Sequence, residues 1–421
     1  MNTNQVQVSE SENFSEAFKT HWRTLFSLMV AYVFDAMDAT MYAYVVPSLT
    51  KELQISFADA FSVVSVFLIS TAIGGLIIAN ISDKIGRKPT LLLCIILYGS
   101  CNFACGMANS LSELYIYRAL VGFAVGGFWP SAISLISELW PAKSRGNAIG
   151  VLASGWSLGL FCSAMFAFYV IPAYGWRGMF IATSLPAIIA FVAIMFFVKE
   201  SAVWLENRKN KKNQGHVKVN ESIPLFVLFS KPHFKTAMLG LGVSIFGQFG
   251  WWTVFMFIPT YMEKAGLGIT KGAEFMLWNS FGALFGYIVF GYWADRYGRR
   301  IMFSIFTIAM GIMLPVYIFS VSHGGVAYLP VIGVVLGFFT GYYGGYGALF
   351  SELFPTEIRS TAAGFCYNFG RASVFIGPLL IPYLIPKIGF DMAMGVASLS
   401  YFIAAILVMM LKETKGIEIK S

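Results

Sequence analysis

The feature that most limits the possible folds of this chain is its succession of apolar runs, each about as long as a membrane crossing. Residues 187–198, for example, contain no charged residue, and only 12% of the 421 residues are charged, against about 25% in soluble proteins. About 20 apolar residues span a bilayer as a helix, whereas the strands of a membrane barrel alternate apolar and polar residues. The sequence therefore predicts an all-α membrane protein.

Twelve membrane-spanning helices are expected from these runs, in two six-helix bundles. In chain order the predicted spans are residues 22–49, 57–80, 89–109, 112–139, 145–171, 177–198, 234–262, 272–294, 300–320, 326–353, 358–386 and 389–411. The corresponding domains are an N-terminal cytoplasmic tail over 1–21, a bundle over 22–198, a cytoplasmic linker over 199–233, a second bundle over 234–411 and a C-terminal cytoplasmic tail over 412–421.

The second half of the chain repeats the first. Asp83-Lys-Ile-Gly-Arg-Lys returns 212 residues later as Asp295-Arg-Tyr-Gly-Arg-Arg. Ser137-Glu-Leu-Trp-Pro returns after 214 residues as Ser351-Glu-Leu-Phe-Pro, and Lys199-Glu-Ser returns after 213 residues as Lys412-Glu-Thr. Because each half contains an even number of spans, the two halves have the same orientation. Parallel repeats of this kind hold their substrate between them, near the membrane midplane.

The distribution of positive charge predicts the topology. Of the 29 Lys and Arg residues, 22 fall in the termini and the even-numbered loops, five fall in the opposite loops, and two lie inside spans. Positive residues are enriched in cytoplasmic loops, so both termini are expected in the cytoplasm. The net charge of +8 is thereby explained by topology, and no nucleic-acid partner is expected.

Four charged residues lie inside the apolar runs: Asp35, Asp38, Arg118 and Arg371. A charge at bilayer depth is costly and marks a functional site by default. Asp35 and Asp38 are three residues apart and share a helix face. Because neighbouring carboxylates repel each other, at least one is expected to hold its proton more tightly than a surface aspartate. The pair is therefore predicted to couple transport to protons, although a structural role, paired to arginines, is the alternative.

The two arginines are predicted to bind an anionic substrate. Arginine stays protonated when buried, and its planar fork binds a carboxylate through two hydrogen bonds. Neither Arg118 nor Arg371 recurs at its repeat-equivalent position, which favours function over scaffold. Arg371 and Asp35 each lie about 13 residues into their spans, so at 1.5 Å per residue they could face each other near the midplane. Two aspartates and two arginines sum to zero, and one carboxylate plus one proton would keep the loaded site neutral.

Polar and aromatic residues within the spans complete the predicted substrate site. Gln248, Asn279 and Asn368 are polar and lie in the middle of their spans, where they could donate hydrogen bonds to a carboxylate or hydroxyl. Trp156 and Tyr346 belong to a larger set of aromatic residues from which the cavity walls are expected to form.

The duplicated loop motifs are predicted to act as gates. Asp83 and Asp295 end helices and could pair with nearby arginines and with the positive N-terminus of the following helix. The predicted gating residues are Asp83, Arg87, Asp295 and Arg299, together with two latch pairs, Glu138 with Arg145 and Glu352 with Arg359.

The same motifs resemble those of the major facilitator superfamily. The resemblance covers essentially the whole chain and is carried by Asp83–Lys88, Asp295–Arg300, Arg118-x-x-x-Gly122-x-x-x-Gly126 in span 4, and the Lys-Glu-Ser and Lys-Glu-Thr ends of the two halves. In addition, Asp35-Ala-Met-Asp38 and Asn368-x-Gly370-Arg371 resemble the organic-acid:proton symporters, including the aromatic-acid, sialic-acid and lactate types. The resemblance implies a twelve-helix carrier that works by alternating access.

These observations together predict a proton-coupled symporter that imports a small organic anion, most simply a carboxylate. The alternatives are a sugar or drug transporter of the same fold, or a membrane sensor that does not transport. The sequence shows no nucleotide-binding Gly-rich loop, no nucleophile–base pair and no metal-ligand spacing among its five cysteines. No enzyme activity, cofactor or metal is therefore expected. The chain is expected to act as a monomer in a bacterial inner membrane.

Overall fold

The computed structural model describes residues 14–140, 142–202, 204–206, 229–354 and 359–414. Within these ranges all regular structure is helical, and seven crossing segments are single helices. They are Phe14–Leu53 (span 1), Phe57–Ile85 (span 2), Arg87–Met107 (span 3), Leu111–Leu139 (span 4), Lys231–Lys264 (span 7), Gly268–Tyr297 (span 8) and Arg299–Ser322 (span 9). Spans 1 and 7 begin earlier than the apolar pattern predicts, because their first turns are polar.

The remaining spans are bent or broken. Spans 5 and 6 share the helix Ala142–Ser184, which bends sharply at Gly175 (φ 66°), and span 6 continues as Pro186–Phe197. The segments of spans 10, 11 and 12 are Leu329–Phe339, the 3₁₀ turns Thr340–Gly344, Gly345–Leu353, Arg359–Ser373 and Ile376–Met409. Gly389 (φ 79°) separates span 11 from span 12 inside the last of these helices.

The number of spans follows from these two glycines. In the described residues, ten helices are long and apolar enough to cross a membrane, and two of them, of 50 and 46 residues, contain the bends at Gly175 and Gly389. Glycine adopts positive φ without steric cost, so it allows the chain to reverse between two spans. Counting each bent helix as two gives twelve spans, in agreement with the sequence prediction of an all-α membrane fold.

Glycines also set the closest helix contacts, in the same way in both halves. A Cβ on Gly126 of span 4 would lie 1.9 Å from the carbonyl oxygen of Thr71 in span 2, and one on Gly337 of span 10 would lie 1.9 Å from that of Asn279 in span 8. Small residues let helix backbones approach closely in a membrane, where packing replaces the hydrophobic effect as the cause of association. The repeat is therefore present in the helix packing as well as in the sequence.

The molecule has two membrane faces, which are called the terminal face and the far face. The terminal face carries the starts of spans 1 and 7 and the motif ends at Glu200 and Glu413, and the far face carries Lys51 and Glu263. The two halves meet chiefly where span 5 packs on span 8, span 2 on span 11, and span 1 on span 7. Of the intramembrane charges, Arg371 lies at this interface, between Trp156 of the first half and Trp252 of the second.

Candidate functional site

Asp38 and Arg118 form an ion pair inside the first half. Arg118 Nη1 lies 3.4 Å from Asp38 Oδ2 and 3.5 Å from Oδ1, and both residues are only 1% exposed. The guanidinium also lies over the rings of Phe67, at 4.5 Å, and Tyr42, at 5.3 Å. Aromatic faces attract cations, so this arginine is held on several sides by groups of its own half.

Arg371 has a different environment, between the two halves. Its guanidinium carbon lies 5.8 Å from the ring of Trp156, in span 5, and 5.8 Å from that of Trp252, in span 7. Arg371 Nε and Nη2 are buried and have no hydrogen-bond partner in the described structure. Buried donors are almost always paired in native proteins, so these two N–H groups mark a place where a ligand or water binds.

Asp35 lies in the same buried region. It is 2% exposed, its Oδ1 has no hydrogen-bond partner in the described residues, and it is within electrostatic reach of Arg371 and Asp38. Tyr32, one turn earlier on span 1, lies in the same buried region. The structure thus brings together Asp35 and Arg371, which belong to opposite halves, while Asp38 and Arg118 form a separate pair beside them.

Aromatic rings cross the interface at this depth. Tyr32 stacks on Trp129 at 4.4 Å and lies 5.8 Å from Trp156, whose ring in turn lies 6.0 Å from that of Trp252. A small cavity of about 20 Å³ adjoins these rings; it is lined by Thr40, Ala43, Tyr44, Leu160, Trp251, Trp252, Phe255, Met256 and Met276. This is room for about one water molecule, and none of the four charged residues lines it.

The other predicted substrate residues lie in different surroundings. Gln248 is fully buried, and its Nε2 donates to Ser244 Oγ (2.7 Å) and to the carbonyl of Tyr367 (3.0 Å), which leaves Oε1 without a partner. Asn279 Nδ2 donates to the carbonyl of Gly333 at 3.3 Å and so joins span 8 to span 10.

Tyr346 and Asn368 differ from each other in burial. The hydroxyl of Tyr346, which is 1% exposed, donates to the carbonyl of Val243 at 3.4 Å and joins span 10 to span 7. Asn368 is exposed on span 11. Of the predicted polar and aromatic residues, Trp156 contacts Arg371 itself, and Gln248 and Tyr346 contact Tyr367, one turn earlier on span 11.

The duplicated carboxylates on the terminal face pair with the motif arginines. Arg87 Nη2 lies 2.8 Å from Glu138 Oε1, and Arg299 Nη2 lies 3.1 Å from Glu352 Oε1. Each bridge joins the loop motif to the end of span 4 or span 10. The side chains of the other predicted gating residues lie outside the described part of the structure: Asp83, Arg145, Asp295 and Arg359.

Sequence reasoning missed the role of Glu200 and Glu413. Glu200 accepts hydrogen bonds from the backbone N–H groups of Arg87 (3.0 Å) and Lys88 (3.2 Å), at the start of span 3. Glu413 does the same for Arg299 (2.9 Å) and Arg300 (3.3 Å) at the start of span 9. Carboxylates stabilise helix N-termini. The repeated Lys-Glu-Ser and Lys-Glu-Thr motifs carried the signal, but sequence alone does not show which helix they cap.

The far face is closed by contacts between the halves, which sequence reasoning also missed. Lys51 Nζ lies 2.7 Å from Glu263 Oε1, and the rings of Phe61 and Phe257 stack at 4.0 Å. Nearer the charges, Ser65 Oγ donates to the carbonyl of Phe375 at 2.8 Å. Spans 1 and 2 are thereby joined to spans 7 and 11 from the far face to about the depth of the arginines.

No group of three or more His, Cys, Asp or Glu side chains in the described ranges is arranged to hold a metal ion. The five cysteines are unpaired thiols.

Comparison with known proteins gives one consistent result. The chain matches the Major Facilitator Superfamily over residues 28–279 and 275–420. It is 29% identical to the niacin transporter of Acinetobacter baylyi, over 98% of this chain and 99% of that protein. It is 28% identical to the cis,cis-muconate transport protein of the same organism, over 92% and 93%.

A solved structure shares the fold. A crystal structure of a D-xylose-proton symporter superimposes with a TM-score of 0.78 at 20% identity, over 94% of this chain and 99% of that one. The twelve-span duplicated bundle and the family match over nearly its whole length show that this chain is a membrane transport protein of the Major Facilitator Superfamily.

Proposed function

We propose that this protein is a symporter that carries a small organic anion, a carboxylate, into the cell together with a proton. The observation that carries the proposal is the guanidinium of Arg371, which lies between Trp156 and Trp252 and whose buried Nε and Nη2 have no hydrogen-bond partner among the described residues. Leaving buried donors unpaired is costly. A carboxylate is the ligand that best satisfies both the charge and the fork-shaped set of donors.

The chemistry around Arg371 favours a ligand with a flat or apolar body. Indole rings supply large apolar faces, and here one comes from each half of the molecule. Niacin and cis,cis-muconate, which two relatives are named for transporting, are planar carboxylates. The likeness to the xylose symporter concerns the fold alone, and the paired tryptophans around a fixed positive charge do not favour a neutral sugar.

Charge balance supports coupling to protons. Asp38 and Arg118 compensate each other within 3.4 Å, and Asp35 is the carboxylate within electrostatic reach of Arg371. When a carboxylate binds Arg371, Asp35 and the ligand share one positive charge. Protonation of Asp35 restores neutrality before the loaded site moves through a medium of low dielectric constant, where a net charge is costly. Asp35 is therefore the proposed proton carrier, and Asp38 with Arg118 its charged neighbour.

The topology sets the orientation of the protein in the membrane. The terminal face carries the loops that are rich in Lys and Arg, so by the positive-inside rule it is cytoplasmic. The closed far face then lies outside the cell. Alternating access requires the contacts of Lys51, Phe61 and Ser65 with the second half to open when substrate enters. The proposed location is a bacterial inner membrane, with the protein acting as a monomer.

The proposal is tested with purified protein in proteoliposomes. Thermal-shift screening against carboxylates, sugars and cationic drugs, at acidic and at neutral pH, identifies the ligand class. Uptake of a labelled carboxylate is then expected to accelerate when the outside is made acidic and to alkalinise the outside medium. Binding without any exchange of label in a counterflow assay would instead identify a sensor, and stabilisation by sugars or cations alone would refute the anion site.

A further inference from the structure

Span 11 is broken immediately after Arg371. Its first helix ends at Ser373, and the next begins at Ile376. Between them the N–H of Val374 donates to the carbonyl of Arg371 (3.2 Å) and that of Phe375 to the carbonyl of Ala372 (3.3 Å). These three-residue bonds form a tighter turn than an α-helix, and such turns inside a helix often mark a hinge. The turn directly follows the helix that carries Arg371 and uses its carbonyl oxygen, so a change in the turn is expected to move this end of the helix.

A serine from the opposite half holds the turn. Ser65, on span 2, is 3% exposed, and its Oγ donates to the carbonyl oxygen of Phe375 at 2.8 Å. A carbonyl oxygen has two lone pairs, so it can accept this bond in addition to one from its own helix. The bond joins residues 310 positions apart and crosses the interface between the halves. It can exist only while spans 2 and 11 lie together, which is the state in which the far face is closed.

The same stretch of span 2 touches the other pair of charges. Phe67, two residues after Ser65, lies with its ring 4.5 Å from the guanidinium carbon of Arg118, which pairs with Asp38. Residues 65–67 therefore contact the turn that follows Arg371 on one side and the Asp38–Arg118 pair on the other.

We propose that Ser65 is a positioning residue that couples the carboxylate site at Arg371 to closure of the far face and to the Asp38–Arg118 pair. The inference rests on the proposed function for the identity of the ligand, but not for the contact itself. When the far face opens, span 2 leaves span 11, Phe375 loses the bond, and Phe67 moves relative to Arg118. The arginine that binds substrate and the neighbouring Asp38–Arg118 pair then change together.

A measurement without ligand tests the closure. Met256 lines the cavity beside Trp252, so Met256→Cys, in a protein whose five native cysteines are replaced, reports opening of the far face to an impermeant thiol reagent. Loss of one buried hydrogen bond shifts such an equilibrium about fivefold. Ser65→Ala is therefore expected to raise the labelling rate about fivefold, and Ser65→Thr, which keeps the hydroxyl, to restore it.

Ser131→Ala is the matched control. Ser131 is 1% exposed, and its Oγ donates to the carbonyl of Gly127 in its own span at 2.9 Å. The Ser131→Ala substitution removes a buried hydroxyl of the same half that does not bond across the interface. Its labelling rate is therefore expected to equal that of the parent, which is the cysteine-replaced protein with Met256→Cys alone. If Ser65→Ala labels like Ser131→Ala, Ser65 does not hold the far face closed and the inference is overturned.

A second measurement tests the coupling, with nicotinate as the probe. In the parent, nicotinate is expected to change the labelling rate of Met256→Cys; in Ser65→Ala the response should fall, and in Ser65→Thr it should return. An unaltered response in Ser65→Ala would overturn the coupling role while leaving the proposed function intact. If the parent neither binds nor transports any carboxylate, the proposed function is refuted. The labelling rates measured without ligand still decide whether Ser65 holds the far face closed.

Discussion

Single residues at this site differ in whether their charges are already satisfied. Arg118 forms an ion pair with Asp38 and lies over two aromatic rings, with only its Nε buried and unpartnered, whereas Arg371 has two such nitrogens and no ion pair among the described residues. A charge that is already paired with an opposite charge is suited to fixed charge compensation. A group with unused donors is suited to a ligand that comes and goes. We therefore assign a structural role to the Asp38–Arg118 pair and roles in binding substrate and proton to Arg371 and Asp35.

Removal of one member of the Asp38–Arg118 pair is predicted to destabilise the protein. An uncompensated charge at a site that is 1% exposed costs about 3–5 kcal/mol. Asp38→Asn and Arg118→Gln are each expected to lower the midpoint of thermal unfolding in detergent, and the double variant to be more stable than the sum of the two losses implies. Additive losses would show that the pair is not coupled.

At the scale of elements, the two halves use the same packing device. Spans 2 and 4, like spans 8 and 10, meet where glycines admit the backbone of the neighbouring helix. A methyl group at such a position must push two helices apart. The seam between spans 2 and 4 also carries Phe67 and Arg118, so its geometry bears on the charged site.

Gly126→Ala is predicted to be destabilising, with Gly347→Ala as its matched control. A Cβ at Gly126 would lie 1.9 Å from the carbonyl oxygen of Thr71, whereas one at Gly347, also helical, meets no atom within 4 Å. Alanine is otherwise the better helix former by about 1 kcal/mol. Thermal unfolding should show a clear loss for Gly126→Ala and no loss, or a gain, for Gly347→Ala. Equal effects would refute the close contact.

Most of the fold could be predicted from the sequence, because apolar runs, repeated motifs and charge bias are local signals. The predicted span boundaries at 171–177 and 386–389 agree with the bends at Gly175 and Gly389. The breaks inside spans 10 and 11, at Thr340–Gly344 and after Ser373, were not predicted, because no local pattern in these apolar runs marks them. For the site, the sequence indicated the four charges because they are unusual in a membrane. It could not indicate Ser65, since serine is common in spans and its partner Phe375 is 310 residues away.

At the scale of the whole molecule, transport requires the halves to separate at the far face. Lys51 and Glu263 join the halves there, with their charged atoms 2.7 Å apart. Cross-linking Lys51→Cys to Glu263→Cys with a cleavable thiol reagent is predicted to stop uptake, and cleavage to restore it.

The control uses an ion pair on the same face but within one half. Glu52 and Arg177 lie 3.0 Å apart, both in the first half. Cross-linking Glu52→Cys to Arg177→Cys in the same way is expected to leave uptake unchanged. Continued uptake across a complete Lys51→Cys–Glu263→Cys cross-link would contradict alternating access through this face.

The carboxylate site depends most directly on Arg371, and carboxylate uptake by Arg371→Lys in proteoliposomes tests it. Lysine keeps the charge but loses the planar fork of donors, so binding and uptake of a carboxylate that the unaltered protein transports should fall at least about tenfold. Arg23→Lys, on the terminal side of span 1, is the control and should transport normally. Uptake by Arg371→Lys at the unaltered rate would contradict the anion site between Trp156 and Trp252.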